Sequence, residues 1–117
     1  MSEERYAEKM QDGEKWFSSK DFQRALEVYS LALKEKPDDP KALLRLGMTC
    51  YKLRDFPQAV RFFSRMIELA PKDREALFSL GVVYIKAGDK PKALATYERL
   101  KKLHPEKAEE LYKLIYA

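Results

Sequence analysis

The residues that could act as nucleophiles, bases or metal ligands are few, and they lie far apart in the sequence. The chain has a single cysteine, Cys50, and a single histidine, His104. Two acidic pairs, Asp38–Asp39 and Glu109–Glu110, fall at a turn and at a helix start, where a carboxylate can cap free backbone N–H groups. No cluster has the spacing of zinc ligands, and no glycine-rich phosphate loop is present. Because catalysis needs groups that converge, the sequence predicts a protein that is not an enzyme and has no cofactor or metal.

Composition predicts a single globular domain that covers residues 1–117. Apolar residues make up 45% and charged residues 36% of the chain, which favours a folded core under a heavily charged surface. There is no run of about 18 apolar residues, so no membrane span is expected. The start, Met-Ser-Glu-Glu-Arg, lacks the apolar stretch of a secretory signal. With one cysteine, a reducing cytoplasmic location is predicted, either as a whole protein or as a domain of a longer one.

An internal repeat of 34 residues organises the chain, because prolines occur at positions 37, 71 and 105. Four further columns recur at the same spacing. They are Gly13, Gly47 and Gly81; Asp21, Asp55 and Asp89; Ala25, Ala59 and Ala93; and Tyr29, Phe63 and Tyr97. The small residues predict two helices in close contact, and the aromatic residues are expected to fill the space between neighbouring hairpins. The aspartates fit helix N-caps, and each proline ends the helix before it.

Apolar residues at a helical spacing predict that each repeat is a pair of helices. The predicted helices span about 3–18 and 22–36, about 41–53 and 56–69, and about 74–87 and 90–103, with a last helix near 106–116. One such hairpin cannot bury its apolar face alone, so neighbouring hairpins must stack. The last helix is then expected to cover the third hairpin.

The 34-residue period, the pairs Leu46-Gly47 and Leu80-Gly81, and the closing prolines resemble tetratricopeptide repeats over residues 6–107. The resemblance implies an all-α fold: a right-handed superhelix of three antiparallel helix-turn-helix hairpins and a C-terminal capping helix. The repeats would span about 6–39, 40–73 and 74–107, and the capping helix about 106–116. The first repeat departs from the pattern, since Lys9 and Asp12 stand where later repeats have leucine. The first repeat is either the end of the array, or a missing upstream segment covers its outer face. Its first helix is predicted to be the least stable element.

The first helices of the second and third hairpins are apolar on two faces, and packing of the hairpin needs only one of them. In proteins that this chain resembles, the other face lines the concave surface of the superhelix and binds ligands. The predicted peptide-binding residues are Met10, Phe17, Lys41, Leu44, Arg45, Met48, Tyr51, Lys52, Phe78, Val82, Ile85, Lys86 and Tyr112.

One charge pattern of the resembled family is missing from this face. Family members that bind acidic chaperone tails hold the terminal carboxylate with lysine, asparagine and arginine. The matching positions here are Met10, Glu14, Arg45, Glu75 and Ser79. Because only Arg45 could serve, binding of such a tail is not expected.

The apolar surface predicts a protein-interaction module, an adaptor, scaffold or chaperone-like domain that holds an apolar or amphipathic peptide segment in its groove. Lysines at the edge of the groove would pair with acidic residues of the partner. One alternative is a structural module that forms homo-oligomers through the same surface, and another is that the last helix folds into the groove. Nucleic-acid binding is the weakest prediction. Residues 40–107 are rich in basic groups, but basic and aromatic residues do not interleave along one stripe.

Overall fold

The computed structural model describes residues 2–117, which form a right-handed superhelix of α-helices. Met1, the first residue of the predicted domain, lies outside the described residues. The helices are α1 (Ser2–Ser18), α2 (Phe22–Glu35), α3 (Pro40–Lys52), α4 (Phe56–Leu69), α5 (Arg74–Lys86), α6 (Lys90–Leu103) and α7 (Pro105–Ile115). Residues 2–117 contain no β-strand. Every predicted helix end lies within one residue of the observed end, so the all-α prediction is confirmed.

Aspartate side chains start most of the helices. Asp21, Asp55 and Asp89 each accept a hydrogen bond from the backbone N–H three residues later, at the starts of α2, α4 and α6. Asp39 and Asp73 do the same for α3 and α5. Each cap satisfies a backbone donor that the helix itself cannot satisfy and places a negative charge at the positive end of the helix. The repeated aspartate column therefore fixes where each second helix begins.

The helices pack as three hairpins, α1 with α2, α3 with α4 and α5 with α6, and each hairpin packs on the next. The first helices also meet directly, α3 against α5 and α5 against α7. They therefore line the inner, concave side of an elongated molecule of 44 × 25 × 20 Å, and α2, α4 and α6 form the outer side.

The glycine and aromatic columns meet inside the first two hairpins. A Cβ atom added at Gly13 would lie 2.3 Å from the ring of Tyr29, and one added at Gly47 would lie 2.6 Å from the ring of Phe63. Both rings are fully buried. Each ring thus lies against the backbone of the opposing helix, which only a residue without a side chain permits.

The third repeat departs from this arrangement. The atoms nearest to a Cβ at Gly81 belong to Leu111 of α7, at 2.6 Å. Tyr97, the third member of the aromatic column, is half-buried and packs on Tyr112 at 5.3 Å between ring centroids. The expectation that Tyr97 fills a buried space between hairpins is therefore wrong. No fourth hairpin covers Tyr97 within residues 2–117, and α7 brings its own leucine to the glycine.

The glycine contact predicts a specific loss of stability in the variant Gly47→Ala. We expect a free energy of unfolding about 1–3 kcal/mol lower than that of the wild type, because the added methyl group collides with Phe63. This holds although alanine favours helices over glycine by about 1 kcal/mol. Urea unfolding followed by circular dichroism measures the change.

The matched control is Gly88→Asn. Gly88 has a φ of +79° and open space around its Cβ position, and asparagine tolerates this backbone conformation. Its stability should change little. A Gly47→Ala protein as stable as the wild type would contradict the close contact.

Candidate functional site

The concave face presents three clefts between neighbouring inner helices. The first cleft lies between α1 and α3, the second between α3 and α5, and the third between α5 and α7. Their walls come from equivalent positions of the repeats, but their contents differ.

A polar network bridges the first cleft. The hydroxyl of Tyr29 donates a hydrogen bond of 2.7 Å to Oε1 of Glu14. Nε of Arg45 lies 2.7 Å from the same oxygen as an ion pair. This Nε is buried and makes no hydrogen bond within residues 2–117, so its interaction with Glu14 is a contact between opposite charges. Burial and the hydrogen bond to Glu14 raise the pKa of Tyr29, so the phenol stays protonated and remains a donor.

The second cleft holds a cavity of about 230 Å³. Its lining residues are Met48, Tyr51, Lys52, Phe63, Phe78, Ser79, Val82 and Val83. Phe63 and Val83 are buried and form the floor, whereas Met48, Tyr51 and Phe78 are half-buried walls. Lys52 is the only charged member of the lining. The cavity is smaller than the roughly 300–1,000 Å³ of typical small-molecule sites, and its size suits one or two apolar side chains of a peptide.

Tyrosine side chains lie where α7 packs on α6. Tyr112 packs between Tyr97 and Tyr116, with ring centroids 5.3 and 4.8 Å away. Nζ of Lys90 lies 4.2 Å from the centroid of the Tyr116 ring, a cation–π contact. Tyr112 is still 41% exposed. An exposed aromatic surface therefore lies at the junction of α6 and α7.

The predicted peptide-binding residues separate into groups in the structure. Met48, Tyr51, Lys52, Phe78 and Val82 come together around the cavity. Leu44 and Ile85 are half-buried beside it, and Lys41 and Lys86 are exposed near the ends of their helices. Phe17 packs edge-on against Phe22. Arg45 is engaged by Glu14, and Met10 is only 5% exposed in the core of the first hairpin, which leaves little surface for a ligand.

Several groups at the site were not predicted from the sequence. Ser79, Phe63 and Val83 complete the lining of the cavity. Nζ of Lys107 lies 4.3 Å from the centroid of the Phe78 ring and also pairs with Glu110. Phe63 could have been found from its column, since an aromatic residue between two hairpins must lie behind the cleft that separates them. Lys107 carries no comparable signal in the sequence.

The two residues with reactive side chains do not meet. Cys50 is 1% exposed, and burial raises the pKa of its thiol to about 11. Nε2 of His104 lies 2.8 Å from the backbone carbonyl of Lys72, on another part of the molecule. Within residues 2–117, no group of histidine, cysteine and acidic side chains could hold a metal ion. None of the helices in that part of the chain is long and apolar enough to cross a membrane.

The stacked hairpins and their concave groove define a helical-repeat protein. The family model described as tetratricopeptide repeat matches residues 17–76 and 51–115. The chain therefore belongs to the tetratricopeptide repeat family, in which the fold is a scaffold for protein interactions.

Solved structures with the same fold include three TPR domains. The TPR2B domain of yeast Sti1, in complex with pHsp70, is 23% identical, with 96% of this chain and 94% of that chain covered and a TM-score of 0.85. The TPR domain of Arabidopsis OM64 is 17% identical, with 99% and 98% covered and a TM-score of 0.88. The first TPR of Spaghetti (RPAP3), bound to the HSP90 peptide SRMEEVD, is 20% identical, with 95% and 90% covered and a TM-score of 0.82. At these identities the likeness shows a shared fold. No curated protein sequence matches the chain.

The network in the first cleft predicts different costs for two substitutions of Glu14. In Glu14→Ala the buried Tyr29 hydroxyl loses its acceptor, so the free energy of unfolding should fall by about 1–3 kcal/mol. Glu14→Gln keeps an oxygen acceptor and should lose less. Adding Tyr29→Phe to Glu14→Ala should recover part of the loss, because no hydroxyl is then left unpaired. Urea unfolding of the double-mutant cycle measures this coupling, and strictly additive effects would contradict the hydrogen bond.

Burial of Cys50 predicts a thiol that is protected in the folded protein. With a pKa of about 11, the thiol is almost entirely protonated at pH 8, and the thiolate is the reactive form. Labelling by a disulfide reagent should be at least about tenfold slower in the folded protein than in urea at the same pH. Equal rates in the two states would contradict this placement of Cys50.

Proposed function

We propose that this protein is an interaction module that holds an apolar or amphipathic segment of another protein in its concave groove. One large apolar side chain of the partner enters the second cleft. The observation that carries the proposal is the cavity between α3 and α5, with walls formed by Met48, Tyr51 and Phe78. Half-buried methionine and aromatic side chains around a small cavity adapt readily to an inserted side chain.

The charges in the groove favour an apolar segment over an acidic tail. Arg45, the residue that could hold a carboxylate, is already paired with Glu14. Glu75 is exposed in the first turn of α5, near the same surface. An acidic ligand would have to displace Glu14 from Arg45 and would meet the charge of Glu75, which makes these two residues selective against it. This sets the proposed ligand apart from the HSP90 peptide held by the first TPR of Spaghetti.

Lysines at one edge of the groove would orient the bound segment. Lys52 and Lys86 lie in the last turns of α3 and α5, and both are exposed. Neither makes an ion pair within residues 2–117. An acidic residue flanking the apolar segment can pair with either lysine, and this would fix the direction in which the segment lies.

Self-association through the same surface is the second candidate function. Tyr112 and Leu114 on α7 are 41% and 46% exposed, and Tyr116, just after the end of α7, is 52% exposed. The two tyrosine rings are in contact and form a contiguous exposed apolar patch. Light scattering over a range of concentrations, combined with an apolar dye, separates the two functions. A monomer that binds the dye supports an open groove, whereas a dimer that excludes it supports self-association.

Substitutions in the second cleft test the peptide-binding proposal. A ligand is first selected from a displayed library of amphipathic peptides by binding to the wild-type protein. Phe78→Asp and Tyr51→Asp should each weaken binding of that peptide by at least about 30-fold, as expected for a central anchor of an interface. Circular dichroism should show unchanged helical content.

The control variant is Leu31→Asp. Leu31 is an exposed leucine of α2 on the outer side of the molecule, so its replacement should leave peptide affinity unchanged. Full affinity in Phe78→Asp and Tyr51→Asp, measured by fluorescence anisotropy, would rule out the second cleft as the binding site.

A further inference from the structure

On the outer side of the molecule, Arg65 of α4 is held by two carboxylates. Its Nε and Nη2 donate hydrogen bonds of 2.8 and 2.6 Å to the two oxygens of Asp38, and its Nη1 donates one of 3.0 Å to Glu68. The hydrogen bonds from Arg65 lower the pKa of Asp38. The two partners of Arg65 come from different parts of the repeat. Asp38 lies in the turn before α3, and Glu68 lies about one helical turn after Arg65 in α4.

Thirty-four residues later, the same three positions hold only cations. Arg99 replaces Arg65, Lys72 replaces Asp38, and Lys102 replaces Glu68. We refer to Lys72, Arg99 and Lys102 as the outer cationic triad. All three residues are exposed, and none of them makes an ion pair in the part of the chain that the structure describes. These like charges repel one another and cannot form ion pairs among themselves. Carboxylates that pair with Arg99 must therefore come from outside the outer cationic triad.

The backbone around the outer cationic triad is held in place independently of the three charged side chains. Nε2 of His104, two residues after Lys102, lies 2.8 Å from the backbone carbonyl of Lys72. A carbonyl only accepts, so Nε2 must carry the proton and donate. This hydrogen bond joins the turn that carries Lys72 to the end of the helix that carries Arg99 and Lys102.

A furrow beside Arg99 provides apolar contact for a partner. It has a volume of about 370 Å³ and is lined by Ser64, Ile67, Glu68, Pro71, Leu80 and Arg99. Glu68 is turned to Arg65, with an ion pair of 3.0 Å. The lining contains no aromatic ring on which a nucleic-acid base could stack. The furrow therefore suits a polypeptide better than a single-stranded nucleic acid.

We propose that the outer cationic triad binds an acidic segment of a partner protein, on the side of the molecule opposite to the concave groove. Two carboxylates of the partner take the places that Asp38 and Glu68 occupy around Arg65. The site is independent of the concave groove, so the protein can hold two segments at once.

Transplanting the closed arrangement into the third repeat tests the proposal. The double variant Lys72→Asp/Lys102→Glu places carboxylates at the two sequence positions that hold the partners of Arg65 one repeat earlier, and it removes two of the three cations. The probe is a fluorescein-labelled, amidated peptide, Gly-Glu-Glu-Asp-Glu-Glu-Gly. At low ionic strength, its affinity for this variant should be at least about fivefold weaker than for the wild-type protein. The control variant Lys20→Asp/Lys113→Glu changes the net charge equally at two other exposed lysines and should bind nearly as well as the wild type.

A second variant tests for gain of binding. In Asp38→Asn/Glu68→Lys, Arg65 loses both carboxylates, and asparagine tolerates the φ of +63° at position 38. Titration calorimetry should then detect a second acidic peptide bound per chain.

Three results would overturn the proposal. The first is unchanged peptide affinity in Lys72→Asp/Lys102→Glu, and the second is an equal loss in the control variant, which would reflect net charge alone. The third is a labelled single-stranded RNA that binds more tightly than the peptide and loses affinity in the same variant. The concave groove is tested separately, because the amphipathic peptide should bind Lys72→Asp/Lys102→Glu with its wild-type affinity.

Discussion

Each of the first two hairpins depends on an aromatic ring that lies against the backbone of a glycine. Tyr29 on Gly13 and Phe63 on Gly47 bring the two helices of a hairpin close enough to exclude water from both faces of the ring. This contact sets the position of the second helix against the first, and the next hairpin then packs on the ring from the other side. The inner helices consequently stand side by side, and the clefts between them arise from the same contact.

The three clefts differ in the side chains that line them, and the third is closed by α7 alone instead of by a hairpin. Glu14 and Arg45 neutralise each other in the first cleft, the second keeps a cavity, and Lys107 of α7 lies over Phe78 of α5 at the third. The outer side also differs between repeats at corresponding sequence positions. Asp38 and Glu68 pair with Arg65, whereas lysines occupy the corresponding positions near Arg99. The fold therefore provides a series of similar sites, and a few substitutions decide which of them remain available to a partner.

The helices could be predicted from the sequence, because the aspartate caps and the prolines act within one or two turns of a helix and recur with the period of 34 residues. The sequence was not sufficient for the burial of Met10, since that depends on how the first hairpin closes around it. Nor could it reveal that Glu14, Tyr29 and Arg45 meet, because each belongs to a different helix and no regular spacing links them. The partial exposure of Tyr97 does not follow from the columns, because they suggest equal repeats, whereas the ring in this column is buried only where another hairpin follows.

The contact of Leu111 with Gly81 makes α7 part of the third hairpin's own packing rather than a cover laid over a finished structure. If α7 detached, the surface around Gly81 would face water with no ring from α6 to replace the leucine. Opening of α7 and of the third hairpin is therefore one cooperative event, and amide protons in α5, α6 and α7 should exchange with solvent together. At the other end, α1 buries only Met10 and Gly13 of its own residues, but its opening would expose the ring of Tyr29 and separate Glu14 from Arg45.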